Sequence, residues 1–317
     1  LNDTINALKQ IKNVINEVKK SVIGKDEIII KVILAILARG HILLEDIPGV
    51  GKTTLALAFS KAMDLKQNRM QFTPDVLPTD ITGFSIYNKD TGTFDYKPGV
   101  AMCNLFLADE INRTSSKTQS SLLEIMEEGK VTVDGITREL PKPFIVLATQ
   151  NPIGSIGTQM LPESQLDRFM IKLSMGYPSI QNEINIMKSK HCCNPLDLVE
   201  KCLDSEDITY FQNLSEAVYV DDKIYNYIAN IVNATRKHPL VKLGVSTRGA
   251  LALTSIIKAT ALLKNRDYVI PDDIAFIIYD VFEHRILLNS NAKINNVSVH
   301  DVLEEILNTK IISSFAS

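Results

Sequence analysis

The residues with the most definite chemistry are Pro48-Gly49-Val50-Gly51-Lys52-Thr53-Thr54, which follow the apolar stretch Ile42-Leu43-Leu44 and open a helical segment at Lys52. A strand, a glycine-containing turn and a helix, in that order, make a phosphate-binding loop. The backbone N–H groups of Gly49, Val50, Gly51, Lys52, Thr53 and Thr54 would surround the phosphates, and glycine lets the chain approach them closely. The Lys52 ammonium would neutralise the β- and γ-phosphates, and the Thr53 hydroxyl would be a magnesium ligand. One position departs from the strict pattern. Six residues before Lys52, where glycine is usual, stands Asp46. The plain alternative, a glycine turn beside a solvated lysine, leaves the strand–loop–helix order unexplained.

A second element is Leu105-Phe106-Leu107-Ala108-Asp109-Glu110, an apolar strand ending in two acids. Ligands of open α/β sheets bind at the carboxyl ends of the strands. There Asp109 would hold magnesium, largely through water, and Glu110 would orient and deprotonate an attacking water. Taken alone, the acid pair could equally be a surface feature; beside the phosphate loop it is a second half-site. A third apolar strand, 144–148, runs into Thr149-Gln150-Asn151. The Asn151 amide could hold the water or the γ-phosphate, or merely bond its own loop.

These groups need a scaffold that brings strand ends together. Ile5, Leu8, Ile11, Ile15 and Val18 recur at helical spacing, and a second apolar helix spans about 26–39 before Gly40. Short apolar strands follow at 42–44, 70–72, 105–108 and 144–148, with helical stretches between them, which means a parallel sheet flanked by helices. Hairpins at 84–97 and 130–140 interrupt it, the second turning at Asp134-Gly135. Beyond Tyr177-Pro178 the strand signals end, and helices are expected at about 179–191, 207–217, 221–236, 246–264, 271–284 and 299–313. The fold class is therefore α/β: a P-loop parallel sheet with hairpin inserts over 1–178, followed by a smaller all-α lid over 179–317.

The bulk composition limits the alternatives. The chain has 317 residues, 45% hydrophobic and 22% charged, with a net charge of −3. That is material for a large core and no electrostatic reason to bind a phosphate backbone. No apolar run approaches the roughly 20 residues of a membrane helix, and the first twenty residues lack a signal-peptide pattern. Cys103, Cys192, Cys193 and Cys202 match neither a zinc nor a disulfide framework, which fits reduced thiols and a cytoplasmic protein. His191 beside Cys192-Cys193 has no second ligand cluster to make a metal site, so a helix end is expected there. The chain begins at Leu1 rather than methionine, as a fragment does.

Several longer stretches resemble one family. They are Gly40-His41-Ile42-Leu43-Leu44-Glu45 running into the phosphate loop, Gln71-Phe72-Thr73-Pro74-Asp75-Val76-Leu77-Pro78-Thr79-Asp80-Ile81-Thr82-Gly83, and Leu107-Ala108-Asp109-Glu110-Ile111-Asn112-Arg113. To these are added Ala148-Thr149-Gln150-Asn151-Pro152 and 161–169, and more loosely Gly244-Val245-Ser246-Thr247-Arg248 and Glu283-His284-Arg285. In these the chain resembles the MoxR family of AAA+ ATPases, closely over about 23–178. The resemblance implies an ATPase using ATP and Mg2+, assembled as a homo-oligomeric ring, typically a hexamer, with each nucleotide between two subunits. It implies that Arg168 is an arginine finger and Arg248 a second sensor on the lid, acting in cis or in trans. It also implies hairpins at the ring pore, and a chaperone-like maturation role on a protein client, often with a von Willebrand factor A domain partner. Without the resemblance, Arg168 could pair with Asp167 or Glu163, and Arg248 could cap a helix start.

Two other functions share this ATPase logic. A nucleic-acid motor would present lysine or arginine and stacking aromatics on its tracking loop. The Asp134-Gly135 tip offers neither, with only Lys130, Arg138 and Lys142 near its base. A metal-chelatase subunit would need a porphyrin-handling partner, and nothing in this chain binds one. A switch that binds ATP but rarely hydrolyses it ranks below the active enzyme, since Glu110, Asn151 and Arg168 are all present.

Overall fold

The computed structural model describes residues 2–47, 49–151, 161–192 and 194–309. Pro48, Pro152, Cys193 and the end of the last expected helix lie outside them, and so do the side chains of His191 and Cys192. In chain order come α1 (Asn2–Ser21), α2 (Asp26–Leu37), β1 (Ile42–Glu45), α3 (Lys52–Ala62), β2 (Gln67–Gln71) and α4 (Pro78–Thr82). Next are a hairpin of β3 (Gly83–Asn88) and β4 (Thr93–Pro98), then β5 (Leu105–Asp109), α5 (Ser116–Glu128), and a second hairpin of β6 (Lys130–Val133) and β7 (Ile136–Glu139). β8 (Ile145–Gln150), α6 (Glu163–Leu166) and β9 (Ile171–Leu173) complete the core.

Five strands form one parallel sheet in the order β2-β5-β8-β1-β9. The central strands β5 and β8 are buried at every position, as a sheet covered on both faces requires. Successive side chains alternate between two cores. Leu105, Leu107, Ile145 and Leu147 face the side packed by α1, α2, α3 and the lid. Phe106, Ala108, Val146 and Ala148 face α5 and the root of the second hairpin.

The remaining elements are α7 (Ile180–Cys192), α8 (Ser205–Glu216), α9 (Asp222–Lys237), β10 (Val241–Leu243), α10 (Thr247–Leu263), α11 (Pro271–Phe282), β11 (Leu287–Leu288), α12 (Ser290–Ile294) and α13 (Val299–Asn308). Their starts are written in the sequence. Asp204, Asp221, Ser246 and Ser298 each accept backbone N–H bonds at a helix N-terminus, worth about 1 kcal/mol apiece.

The structure differs from the sequence expectations in four strands. β2 begins at Gln67, and Phe72 lies beyond it as a core residue. β9 was not anticipated, because Lys172 splits its three residues and leaves no apolar run. The helical lid carries one antiparallel pair, β10 with β11, too short to register as alternation. Among the described residues no helix is long and apolar enough to cross a membrane.

Candidate active site

The phosphate loop is shaped by two left-handed glycines, Gly49 at φ 90° and Gly51 at φ 99°. A side chain at either would strain the turn. Gly51 is the N-cap of α3 and supplies no side-chain acceptor, so the first N–H groups of the helix are left for an anion. Lys52 is largely buried, and its Nζ donates to the Asp46 carbonyl at 2.7 Å. Burial pushes the Lys52 ammonium pKa down, against the opposing pull of Asp46, Asp109 and Glu110. An anionic ligand in the cleft would restore what burial removes.

Asp46, the departure from the strict loop pattern, has a structural task. Its buried carboxylate accepts from Ser174 Oγ at 3.1 Å and from the N–H groups of Met175 and Gly176. Lys25 Nζ donates to the carbonyls of Met175, Gly176 and Tyr177 in the same segment. Between them, an acid on the N–H side and an ammonium on the C=O side fix residues 174–177 against the phosphate loop.

At the carboxyl end of β5, Asp109 Oδ2 accepts from Arg69 Nε at 2.7 Å and Oδ1 from Thr149 Oγ1 at 3.2 Å. Glu110 adopts a left-handed backbone, φ 57°, and its N–H donates to the same Thr149 hydroxyl at 2.9 Å. A non-glycine residue held there stores strain where the carboxylate must be aimed. Arg113 Nη1 lies 2.7 Å from Glu110 Oε2, and Asn151 Nδ2 donates to Oε1 at 3.1 Å. Burial alone would raise the Glu110 pKa; hydrogen bonds from Arg113, Asn151 and Gln71 and the Arg113 charge hold it below the usual carboxylate range. Asn151 Oδ1 is buried with no hydrogen-bond partner among the described residues, an acceptor ready for a water or ligand donor.

Thr53, Thr54, Lys52, Asp109, Glu110 and Asn151 line one cleft of about 320 Å³ together with Gly49 and Gly51. Gly49, Gly51 and Thr54 also line an adjoining cleft of about 510 Å³, walled by Val22, Ile23, Val50, Tyr177, Pro178 and Met187. A polar end with N–H donors continuous with an apolar end suits a nucleotide, phosphates in the first and base in the second. The hard oxygens of Asp109 and Thr53 are the donor type that Mg2+ takes, and the orphaned Asn151 oxygen supplies a further polar anchor. A larger cleft of about 570 Å³ lies by α2 and α11, but five of its charges already pair with one another: Lys31 with Glu27 and Asp280, Lys172 with Glu45.

The two arginines expected to act on nucleotide lie elsewhere. Neither Arg168 nor Arg248 is among the described residues lining the cleft. Both meet Glu127 near the end of α5. Arg168 Nη1 is 3.4 Å from Oε2, and Arg248 Nη2 bonds Oε1. Arg168 Nε is buried and has no hydrogen-bond partner among the described residues. Asp167 pairs instead with Arg285 at 2.8 Å and accepts from Ser246 Oγ at 2.8 Å. Arg285 further donates to the carbonyls of Asp167, Phe169 and Met170, pinning the lid to the core beside Arg168.

Sequence reasoning missed several members of this site. Arg69 and Gln71 come from β2, on the face that the register sets beside Asp109. Period-two spacing with a basic and an amide residue was the available signal. Glu127, Lys25 and the apolar wall at 22–23 gave none, since only the fold brings them there. The hairpins also differ in character. The β6–β7 tip turns at Asp134 and Gly135, both with positive φ, whereas β3–β4 exposes Phe94, Tyr87, Phe84 and Ile86. The Arg138 guanidinium stacks 3.9 Å from the Tyr96 ring and ties the two hairpins together.

The profile of the ATPase family associated with various cellular activities (AAA) matches residues 41–171, and that of the AAA lid domain matches 233–306. The uncharacterised protein YeaC of Bacillus subtilis is 48% identical, over 92% of this chain and 92% of its own. Chaperone MoxR1 of Mycobacterium tuberculosis is 37% identical, over 94% of this chain and 81% of its own. A crystal structure from Cytophaga hutchinsonii, 39% identical, superposes with a TM-score of 0.89 and covers 96% of this chain and 95% of that one.

Proposed function

This chain belongs to the MoxR family of AAA+ ATPases, and from that premise we propose that it binds and hydrolyses ATP with Mg2+ at the subunit interfaces of a ring, to remodel or mature a protein client. The observation that carries the proposal is the convergence of Lys52, Thr53, Asp109, Glu110 and Asn151 on the cleft at the α3 N-terminus. Lys52 exchanges the Asp46 carbonyl for the β- and γ-phosphates. Thr53 and Asp109 are the residues that would hold Mg2+, which when bound neutralises phosphate charge. Glu110 takes a proton from the attacking water, and the unpartnered Asn151 oxygen accepts its other hydrogen and fixes its orientation.

The Glu127 cluster supports the ring. Two arginines share one acid, so Glu127 balances only one of the two guanidinium charges, beside an Arg168 Nε that has no partner among the described residues. A neighbour's γ-phosphate is an anion that such a face would receive, and by this reading both Arg168 and Arg248 act in trans. The lid begins near residue 178 in this reading and carries Arg248 to that interface. A protein client is favoured over nucleic acid by the β3–β4 hairpin. Its exposed apolar residues stand among Lys89, Asp90, Asp95 and Lys97, of mixed sign, whereas a strand-tracking surface is basic. The name of Chaperone MoxR1 is consistent with such a client. Glu110→Gln tests the chemistry. It keeps shape and hydrogen bonding but cannot accept the proton, so ATP binding should persist while turnover falls by about 10²–10⁴-fold. Wild-type turnover in the variant would assign the base elsewhere.

A further inference from the structure

The structure caps each acid at the end of β5 with an arginine of the same chain, Arg113 on Glu110 and Arg69 on Asp109. Arg113 is three residues from Glu110 and local to its turn. Arg69 is not local. It comes from the edge strand β2, where the register pairs Arg69 with Leu107 and Gln71 with Asp109. Residues 69 and 71 therefore project on the face that carries Asp109. Arg69 Nε reaches Asp109 Oδ2 at 2.7 Å, and Thr149 occupies the other oxygen. The Asp109 side chain is only 10% exposed, whereas Arg69 is 50% exposed. One partner is enclosed, and the other is half open to solvent. Arg69 also lines the cleft with Lys52 and Thr53.

Resting on the assignment of that cleft to ATP, we infer that Arg69 is a built-in stand-in for Mg2+. It holds and neutralises Asp109 while the metal is absent, and gives up the carboxylate when metal arrives with nucleotide. The reason is charge. A bare carboxylate at this depth would repel the phosphates, and a guanidinium removes that repulsion without a metal. The same hydrogen bond occupies an oxygen that a metal would use, so Arg69 and Mg2+ compete for Asp109. Freed, Arg69 remains a cation on the wall of the same cleft. Arg69 therefore loosens the coupling between Mg2+ and ATP, strengthening metal-free binding and weakening the gain that metal brings.

The test is the affinity of a fluorescent ATP analogue for the full chain in EDTA and in excess Mg2+, expressed as the ratio of the two dissociation constants. In Arg69→Ala this ratio should rise about fivefold, the worth of a good half-exposed ion pair, chiefly through weaker binding in EDTA. Arg69→Lys keeps the cation and should fall between the two. A ratio unchanged in Arg69→Ala, or affinity lost equally in both buffers, overturns the inference and leaves the ATP site standing. A wild-type chain that binds no ATP in either buffer overturns both.

Discussion

His41 gives the sharpest physical prediction, because both of its ring nitrogens are committed inside the core. Nδ1 accepts the Val146 N–H at 3.0 Å and Nε2 donates to the Met126 carbonyl at 2.9 Å. Only the neutral ring satisfies both, since a proton on Nδ1 would oppose the Val146 N–H. Burial accordingly pushes the pKa from 6.5 down to about 4. Above pH 6.5 neither the folded nor the unfolded chain is protonated at this histidine, and its contribution to stability is complete. As pH falls below 6.5 the unfolded chain takes up a proton that the folded chain refuses, and stability is lost until the folded pKa is reached. Each pH unit of separation is worth about 1.4 kcal/mol, so His41 should cost about 3 kcal/mol of stability between pH 7 and pH 4. His284 is also held well below its ordinary value, so the His41 part must be isolated by substitution. His41→Gln has no proton to gain. Urea unfolding across this range should show it less stable than wild type at pH 7, by about 1–3 kcal/mol for the unmet Val146 N–H, yet with a flatter pH dependence by about one proton. Equal pH slopes in the two proteins, or a His41 resonance titrating near 6.5, would refute the reasoning. The effect bears on function because Met126 adjoins Glu127 and Val146 lies on the strand that leads to Asn151.

Lys52→Ala should abolish tight ATP binding, and unchanged affinity by nucleotide titration would remove the phosphate-loop assignment. Arg168→Ala should bind ATP but lose about 10³–10⁵-fold in turnover. Mixed with Glu110→Gln it should recover part of the activity, because some interfaces then hold Glu110 from one subunit and Arg168 from the next; mixed oligomers by light scattering with no recovery would exclude a trans-acting arginine. The protein should not bind single- or double-stranded DNA at physiological salt, and submicromolar, salt-sensitive binding would favour a nucleic-acid motor instead.

The sequence by itself determined the elements that are local. The phosphate loop needs glycine at two left-handed positions and a helix starting at Lys52, and both are properties of adjacent residues. Strands β5 and β8 declare themselves as uninterrupted apolar runs because both faces are covered, and the acids that follow β5 come with them. Helix starts are legible at Asp221 and Ser246 because a cap is a bond between near neighbours, whereas the cap of α8 stands at Asp204, three residues before the start expected at 207. Tertiary structure decided whatever depends on which strands lie side by side. It placed Arg69 of β2 on Asp109 of β5, forty residues apart, and brought Arg168 and Arg248 to one glutamate on α5. It also converted Asp46 from an irregularity in a motif into the carboxylate that fastens residues 174–176 to the phosphate loop. Strand β9 and the β10–β11 pair escaped notice because strands of two or three residues have no periodicity of their own. They exist only because a neighbour offers its backbone N–H and C=O groups for pairing.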